Sequence, residues 1–234
     1  MIKRIQYRIF KFINDCGYKL ERRIPRPLYP NELKRFSYQK IYNNFNLKDC
    51  TAILDIGFGT DPFPYATHII DLSLNALTAM KSNKLATGKH ALIADIHHLP
   101  FTDKFFDYVY CSHVLEHTED PIMACREIIR VGKRGYIEIP TLAKDGLFCW
   151  ARGQHRWHVV SIADRLCFFE YRERLLDGIR SRAWFDLIQL KEYHPVQEAY
   201  YNNLDFFNIM FPWQDTFKIH VFRLDGTIHS SNAF

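Results

Sequence analysis

A series of short apolar segments between positions 53 and 140 constrains the fold more than any other feature of this chain. They lie at about 51–57, 67–72, 90–95, 105–112 and 134–140, and the first three lead into a glycine or an acidic residue. Continuous apolar runs of this length are typical of strands buried in a parallel sheet, whose carboxyl edge presents ligand-binding residues. The series therefore predicts an α/β fold with a doubly wound, mostly parallel sheet.

Helical and turn patterns fill the intervals between these segments. Helices are predicted at 31–46, 73–83, 120–131 and 172–184. Asp120 is a suitable N-cap for the third of these, and Pro121 suits its first turn. Residues 157–170 predict two strands that turn at Ala163-Asp164, and residues 216–224 predict a final strand.

Charge is distributed unevenly along the chain. Residues 1–50 contain twelve Lys and Arg against four Asp and Glu, a net of +8, which leaves −3 for the remainder of a chain whose total is +5. Residues 2–16 predict an amphipathic helix with basic residues off its apolar face. That face either docks on the protein body or lies on an anionic membrane. We therefore predict a basic helical extension, 1–48, and one domain, 49–234.

Composition favours a cytoplasmic protein. The six cysteines contain no C-x-x-C pair, which is typical of free thiols in a reducing compartment. No apolar run approaches the roughly 20 residues that span a bilayer. The expected location is the cytoplasm, with peripheral contact at the inner membrane face if residues 1–16 bind lipid.

The order of motifs along the sheet segments resembles a known family. The motifs are Ile53-Leu54-Asp55-Ile56-Gly57-Phe58-Gly59, Ile69-Ile70-Asp71-Leu72-Ser73, Ala94-Asp95 with Leu99-Pro100-Phe101, Phe105-Phe106-Asp107-Tyr108-Val109-Tyr110, Val114-Leu115-Glu116-His117, and the run from Arg130 to Pro140. This order resembles the class I S-adenosylmethionine-dependent methyltransferases of the type 11-like group. The resemblance implies a Rossmann-like, mostly parallel seven-stranded sheet, here with an N-terminal helical extension, and S-adenosylmethionine as cofactor.

The resemblance also implies a set of cofactor-binding residues. These are Asp55, Gly57, Gly59, Asp71, Leu72, Asp95, Ile96 and Ser112. Asp71 ends the second strand, where a carboxylate accepts hydrogen bonds from both ribose hydroxyls, although it could instead cap the next helix. Asp95 is expected at the adenine amino group, with a plain turn residue as the alternative, and Leu72 and Ile96 are expected to sandwich the adenine ring.

Two details of the glycine turn favour a methyl donor over a dinucleotide. Pro62 replaces the third glycine of the G-x-G-x-x-G fingerprint. Asp61 places a carboxylate where a pyrophosphate needs positive potential, whereas S-adenosylmethionine carries a sulfonium and an ammonium. The spacing also departs from the family, because Asp55 and Asp71 are only sixteen residues apart and Pro64 follows Pro62. The first crossover helix is therefore predicted to be very short or absent.

His113-Val114-Leu115-Glu116-His117 matches the H-x-x-E-H pattern of a class of zinc proteases. That pattern binds zinc when both histidines lie one turn apart on a helix. Here the motif follows a β-strand pattern directly, so no metal is expected from it.

Candidate chemistry lies beyond the fourth and fifth strands. His113 and His155 are the candidate catalytic bases, because imidazole suits deprotonation of a hydroxyl near neutral pH. His117 is expected to be a structural residue of its loop. Arg156 and Trp157 are candidate substrate-binding residues, the alternative being an interior Trp beside an exposed Arg.

The predicted function is O-methylation of a saccharide or another hydroxylated small molecule, in a surface-glycan or secondary-metabolite pathway. The alternative is a non-catalytic scaffold that keeps the methyltransferase fold, which the shortened crossover favours and the acids at 55, 71 and 95 oppose. Nucleic acid is not expected as a partner, because the body is acidic and no Asn/Asp-Pro-Pro-Tyr motif follows the fourth strand. The oligomeric state is left open.

Overall fold

A computed structural model describes residues 35–59, 61–73, 88–148, 154–171, 187–188 and 194–231. The helices predicted at 2–16 and 172–184 lie outside these ranges, as do residues 74–83 of the helix predicted at 73–83. Residues 1–16 are not among the described residues, so their expected membrane contact stays a prediction. The boundary between the predicted extension and the domain, at residues 48 and 49, also stays a prediction.

The main sheet follows the predicted α/β plan. Its strands are β1 (Ile53–Ile56), β2 (His68–Asp71), β3 (His90–Ile93), β4 (Tyr108–Ser112), β5 (Arg134–Pro140) and, as numbered along the chain, β8 (Asn208–Gln214). The spatial order is β3-β2-β1-β4-β5-β8, in which β1 to β5 are parallel and β8 is antiparallel to β5. The order reverses between β1 and β4, so the switch point of a doubly wound sheet lies there.

The other four described strands form a second sheet. It consists of β6 (Trp157–Ile162), β7 (Arg165–Glu170), β9 (Lys218–Phe222) and β10 (Ile228–Ser231), in the order β10-β9-β7-β6. The predicted turn at Ala163-Asp164 is confirmed, with Ala163 at a positive φ of 53°. The expected seven strands become six in the described part of the main sheet, because the predicted strand at 216–224 pairs with β7 instead.

The helices frame the two sheets. They are α1 (Arg35–Tyr42), α2 (Pro121–Val131), α3 (Leu142–Phe148), α4 (Pro195–Tyr201) and α5 (Leu204–Phe207). The start of α2 is confirmed, because the Asp120 side chain accepts hydrogen bonds from the backbone N–H groups of Ile122 and Met123. Helices α1 and α2 lie within the helices predicted at 31–46 and 120–131, whereas α3, α4 and α5 were not predicted.

One apolar cluster joins both sheets to α2. Ala124, Cys125 and Ile128 on α2 are fully buried against β-strand residues such as Val109 of the main sheet and Val221 of the second. A hydrophobic core shared in this way fixes the second sheet relative to the ligand-binding edge of the first.

An aromatic cluster covers the opposite face of the main sheet. Phe45, Phe63, Tyr110 and Tyr136 pack together there, with the rings of Phe63 and Tyr110 stacked at 4.2 Å. Helix α1 packs beside them, because its Tyr38 and Gln39 are buried and hydrogen-bonded to β5. The described part of the predicted extension is thus part of the folded core.

The cysteines at positions 50, 111, 125 and 167 are free thiols, as predicted, and all but the first are buried. None of the described helices has the length and apolar character needed to cross a bilayer.

Candidate active site

A cavity of about 610 Å³ opens at the carboxyl ends of β1 to β4, beside the switch point of the main sheet. Seven of the predicted site residues line it together: Gly57, Asp71, Leu72, Asp95, Ile96, His113 and Arg156. Arg156 lines the same cavity from the segment before β6. Position and volume are those of a small-molecule or cofactor site in an open α/β sheet.

Asp71 is held by two backbone groups at the end of β2. Its Oδ2 accepts a hydrogen bond from the Gly59 N–H at 3.2 Å, and its Oδ1 accepts one from the Ser73 N–H at 2.9 Å. Gly59 does not line the cavity, so its role here is to orient this carboxylate. Each carboxylate oxygen has more than one acceptor direction, so Asp71 retains capacity for ligand hydroxyls.

Gly57 is the residue that the turn after β1 requires. Its φ is +69°, its N–H donates to the Ile70 carbonyl at 2.8 Å, and a Cβ here would stand 2.3 Å from Cγ2 of Val114. Both the backbone conformation and the contact exclude a side chain.

Asp95 is oriented by His97, a residue that was not among the predicted site residues. Asp95 Oδ1 accepts hydrogen bonds from the His97 backbone N–H at 2.9 Å and its Nδ1 at 2.6 Å. The backbone bond in particular lowers the pKa of Asp95, so the carboxylate is ionised at neutral pH. The Nε2 of His97 accepts from the Asp120 N–H at 3.3 Å, which links the site to the start of α2.

Two apolar side chains face the cavity beside these acids. Leu72, directly after β2, is 72% exposed, whereas Ile96 is buried. A planar apolar ring between them would cover the exposed Leu72 surface. The adenine sandwich expected of these two residues stays a prediction.

Asp55 and Ser112 lie behind the cavity rather than in its lining. Asp55 is buried, and its Oδ2 accepts a hydrogen bond from the Phe63 N–H at 2.7 Å. This bond fixes the crossover between β1 and β2, whose described residues 61–67 contain no helix, as predicted. Ser112 is also buried, with its Oγ 3.5 Å from Glu138 Oε1. Both residues support the site from the core.

His113 bridges two buried carboxylates. Its Nδ1 lies 3.2 Å from Glu116 Oε1 and its Nε2 lies 3.2 Å from Glu138 Oε1, while its backbone takes a positive φ of 58°. Both ring nitrogens are engaged, so neither offers a free lone pair to a substrate in this arrangement.

Glu138 is the centre of a hydrogen-bond network under the cavity. It accepts hydrogen bonds from the Tyr38 hydroxyl at 2.5 Å, the Tyr136 hydroxyl at 2.6 Å and the Gln39 amide at 2.8 Å. Burial raises the pKa of Glu138, but these donors and His113 outweigh it and lower the pKa to about 2. The carboxylate is therefore ionised although it is fully buried.

His155 stands in a different environment, outside the cavity lining. Its Nδ1 lies 2.9 Å from Oδ2 of the buried Asp145, which also accepts a hydrogen bond from the Tyr171 hydroxyl at 3.0 Å. A carboxylate on one ring nitrogen orients the other for chemistry. The ring packs edge-on against His117, which does line the cavity, with centroids 4.6 Å apart.

The H-x-x-E-H motif does not form the helix that the zinc proteases use. Residues Leu115–His117 form a short 3₁₀ helix, and His113 precedes it in the left-handed conformation. The two histidines of the motif are therefore not one α-helical turn apart.

The expectation that Trp157 binds substrate is corrected by the structure. Its side chain is buried, and its Nε1 donates to the Thr118 carbonyl at 2.7 Å. Arg156 lines the cavity, is exposed, and pairs with Glu119 at 3.1 Å. This is the alternative of an interior Trp beside an exposed Arg, and it follows from the alternation of side chains at the start of β6.

Comparisons with known proteins agree with this geometry. A family described as a methyltransferase domain matches residues 54–137. An uncharacterized protein of Methanocaldococcus jannaschii is 34% identical over 134 residues, which is 52% of this chain and 57% of that protein. The chain thus matches little more than half the length of this relative.

Two solved structures are similar to this chain. One is a chain of the complex between the Haloferax volcanii Trm112 methyltransferase activator and a methyltransferase, with a TM-score of 0.53, 12% identity, and coverage of 82% of this chain and 93% of that one. The other is a SAM-dependent methyltransferase from Aquifex aeolicus, with a TM-score of 0.39, 23% identity, and coverage of 49% and 69%.

The fold is that of the class I, S-adenosylmethionine-dependent methyltransferases. The part of the chain that matches the methyltransferase domain family runs from β1 into β5.

Proposed function

We propose that this chain binds S-adenosylmethionine in the cavity and transfers its methyl group to a hydroxyl of a saccharide or another hydroxylated small molecule. The observation that carries the donor assignment is the placement of Asp71 and Asp95 at the ends of adjacent strands on one cavity. Asp71 would accept hydrogen bonds from the ribose hydroxyls, and Asp95 would accept one from the adenine amino group. Leu72 and Ile96 would hold the ring between them.

The reaction is a displacement at a carbon that the sulfonium has already activated. The acceptor oxygen forms a bond to the methyl carbon, the S–CH₃ bond breaks with its electron pair going to sulfur, and the hydroxyl proton leaves. The protein therefore has to align the acceptor and remove one proton. Products are the methyl ether and S-adenosylhomocysteine.

The acceptor side of the cavity supports an oxygen acceptor that carries polar groups. His117 and Arg156 are exposed in its lining, and His155 packs behind His117. Of the two predicted bases, His155 is the one with a ring nitrogen left open, because Asp145 occupies only its Nδ1, although His117 and not His155 lines the cavity. His113, with a carboxylate at each nitrogen, is better suited to positioning the turn that carries Glu116 and His117.

The cofactor assignment is tested by calorimetry with S-adenosylhomocysteine. Asp71→Ala should weaken binding by about 1.5–3 kcal/mol, because charge-assisted hydrogen bonds to two ribose hydroxyls are lost. Asp95→Ala should weaken it less, since one contact to adenine is lost. Asp205→Ala, at an exposed position on α5, is the matched control and should leave affinity unchanged.

Unchanged affinity in Asp71→Ala would remove the cofactor assignment. A second candidate is a non-catalytic scaffold, which the helix-free crossover at 61–67 favours. Formation of S-adenosylhomocysteine from S-adenosylmethionine that depends on an added polyhydroxylated acceptor would exclude the scaffold. Cofactor binding without turnover over a broad set of such acceptors would favour it.

A further inference from the structure

Three potential metal ligands converge at the acceptor end of the site. Glu116, His117 and His155 each place one ligand atom within 4.8 Å of the others. The first two lie in the 3₁₀ helix after β4, and His155 lies just before β6. The Arg156 N–H donates to the Glu116 carbonyl at 2.7 Å, so the two segments are tied together at the cluster.

Both histidines of this cluster have an acceptor at Nδ1. His155 Nδ1 lies 2.9 Å from Asp145 Oδ2, and His117 Nδ1 lies 3.1 Å from the Gln154 carbonyl oxygen. An acceptor at Nδ1 places the proton there and leaves the lone pair on Nε2. Metal-binding histidines show this arrangement, with a carboxylate or a backbone carbonyl behind each ring.

The third member carries an unsatisfied buried oxygen. Glu116 is 1% exposed, and among the described residues its Oε2 has no hydrogen-bond partner. Its Oε1 lies 3.2 Å from His113 Nδ1 and 3.9 Å from His117 Nε2. A buried carboxylate oxygen without a donor is costly, and a bound cation would satisfy it.

We propose that Glu116, His117 and His155 bind one divalent transition-metal ion beside the cofactor cavity. Two imidazole nitrogens and one carboxylate suit Zn²⁺, Mn²⁺, Fe²⁺ or Co²⁺ better than Mg²⁺ or Ca²⁺, which prefer oxygen ligands. With bonds of about 2.1 Å, the ligand atoms would lie roughly 3–3.5 Å apart, so the cluster has to contract slightly. Glu116 and His155 are 1% and 8% exposed, so the movement falls to His117, which is 40% exposed.

This site differs from the one that the H-x-x-E-H motif suggested. Zinc was not expected from that motif, because His113 and His117 would have to share a helix. In the structure the second histidine of the cluster is His155, which is 38 residues after His117 in the chain. His113 is not part of the cluster and lies between Glu116 and Glu138.

Three protein ligands leave coordination positions open, and His117 lies in the cavity wall. An acceptor hydroxyl that contacts the ion there would lose its proton more readily, and the proton would leave to solvent. This second step rests on the proposed function. If the ion binds, the Nε2 lone pair of His155 is used as a metal ligand, so His155 would not be the general base.

Metal binding is tested on the full chain without S-adenosylmethionine. After removal of metals with a chelator, titration with MnCl₂ followed by calorimetry, and with CoCl₂ followed by visible absorption, should show one equivalent bound. His155→Asn and Glu116→Gln should each weaken binding at least about tenfold, and Asp145→Asn should weaken it by about 10–100-fold, as is typical for a residue that orients a ligand.

His229→Ala, an exposed histidine on β10, is the matched control and should bind as the wild type does. Circular dichroism and urea midpoints without metal identify any variant that fails to fold. If a ligand variant fails to fold, metal binding by Asp145→Asn is compared with that of the wild type, because this variant keeps all three proposed ligands. A wild-type chain that binds neither ion at millimolar concentration would overturn the proposal. Binding that persists equally in His155→Asn and Glu116→Gln would also overturn it.

The outcomes separate this inference from the proposed function. A chain that binds Mn²⁺ but not S-adenosylhomocysteine would keep the metal site and refute the methyltransferase activity. A chain that methylates its acceptor equally well after removal of metal would refute the role of the ion in the reaction.

Discussion

Replacing Glu138 by Gln should destabilise the protein by about 3 kcal/mol at pH 7. The carboxylate accepts hydrogen bonds from Tyr38, Gln39 and Tyr136 and faces His113 Nε2. In Gln one oxygen becomes an NH₂ group, which cannot accept, so one or two charge-assisted hydrogen bonds worth about 1.5–3 kcal/mol each are lost.

The pKa of Glu138 gives a second route to the same magnitude. It falls from an ordinary value of 4.5 to about 2 in the folded protein. A difference of this size corresponds to about 3 kcal/mol at roughly 1.4 kcal/mol per unit. Because the folded pKa is depressed, this stability is complete above about pH 4.5 and is lost as the pH falls toward 2.

Urea unfolding followed by circular dichroism at pH 7 and pH 3.5 measures this effect. The difference between wild type and Glu138→Gln should shrink by more than about 1 kcal/mol at the lower pH. Glu119→Gln is the matched control. Its carboxylate is 78% exposed and pairs with Arg156 at the surface, so the change should stay within about 1 kcal/mol.

A difference below about 1 kcal/mol at pH 7, or an equal difference at both pH values, would refute the reasoning. Either result would mean that the desolvation cost of the buried carboxylate cancels its hydrogen bonds.

Two further predictions concern the turns that frame the cavity. Gly57→Ala should lower the melting temperature and the affinity for S-adenosylhomocysteine, because its φ is +69° and a Cβ would contact Val114 at 2.3 Å. Gly226→Ala, also at positive φ but in open space, should cost stability alone, and equal effects of the two would contradict the contact. Asp120→Ala should lower the free energy of unfolding, measured in urea, by about 1 kcal/mol through loss of the α2 N-cap. Asp120→Asn should retain most of this stability, because Asn also caps helices. An equal loss in both variants would contradict a capping role.

The grouping of Asp71, Leu72, Asp95 and Ile96 on one cavity was predictable because its signals are local. Asp71, Leu72, Asp95 and Ile96 each end or directly follow a parallel strand, and the carboxyl ends of such strands meet at one edge. Asp55 was predicted from its motif to bind the cofactor. It lies inside β1, where side chains alternate between the two faces of the sheet, and its carboxylate accepts a hydrogen bond from the Phe63 N–H. Only the fold decides that direction.

The second sheet and the edge strand were not predictable in the same way. Strand β7 pairs with β9 about fifty residues later, and no local pattern specifies that partner. Strand β8 contains Pro212, which argues against a central strand, but β8 lies at the edge of the main sheet, where proline is tolerated. An acidic residue inside the apolar run of β5 was a visible signal for Glu138, whereas its donors on α1 lie a hundred residues earlier. Asp145 gave no signal, because its partner His155 lies beyond the end of α3.

The turn from Ser112 to Thr118 connects the two ends of the site. On the core side, His113 is held by Glu138. On the other side, Arg156 and Trp157 clamp the turn at the start of β6. The Arg156 backbone N–H donates to the Glu116 carbonyl, and Trp157 Nε1 donates to the Thr118 carbonyl. A turn that is bonded on both sides keeps its side chains in place before any ligand arrives, which lowers the entropic cost of binding. Loosening either clamp should therefore affect the acceptor end more than the donor end, since Asp71 and Asp95 are held by separate backbone groups on β2 and after β3.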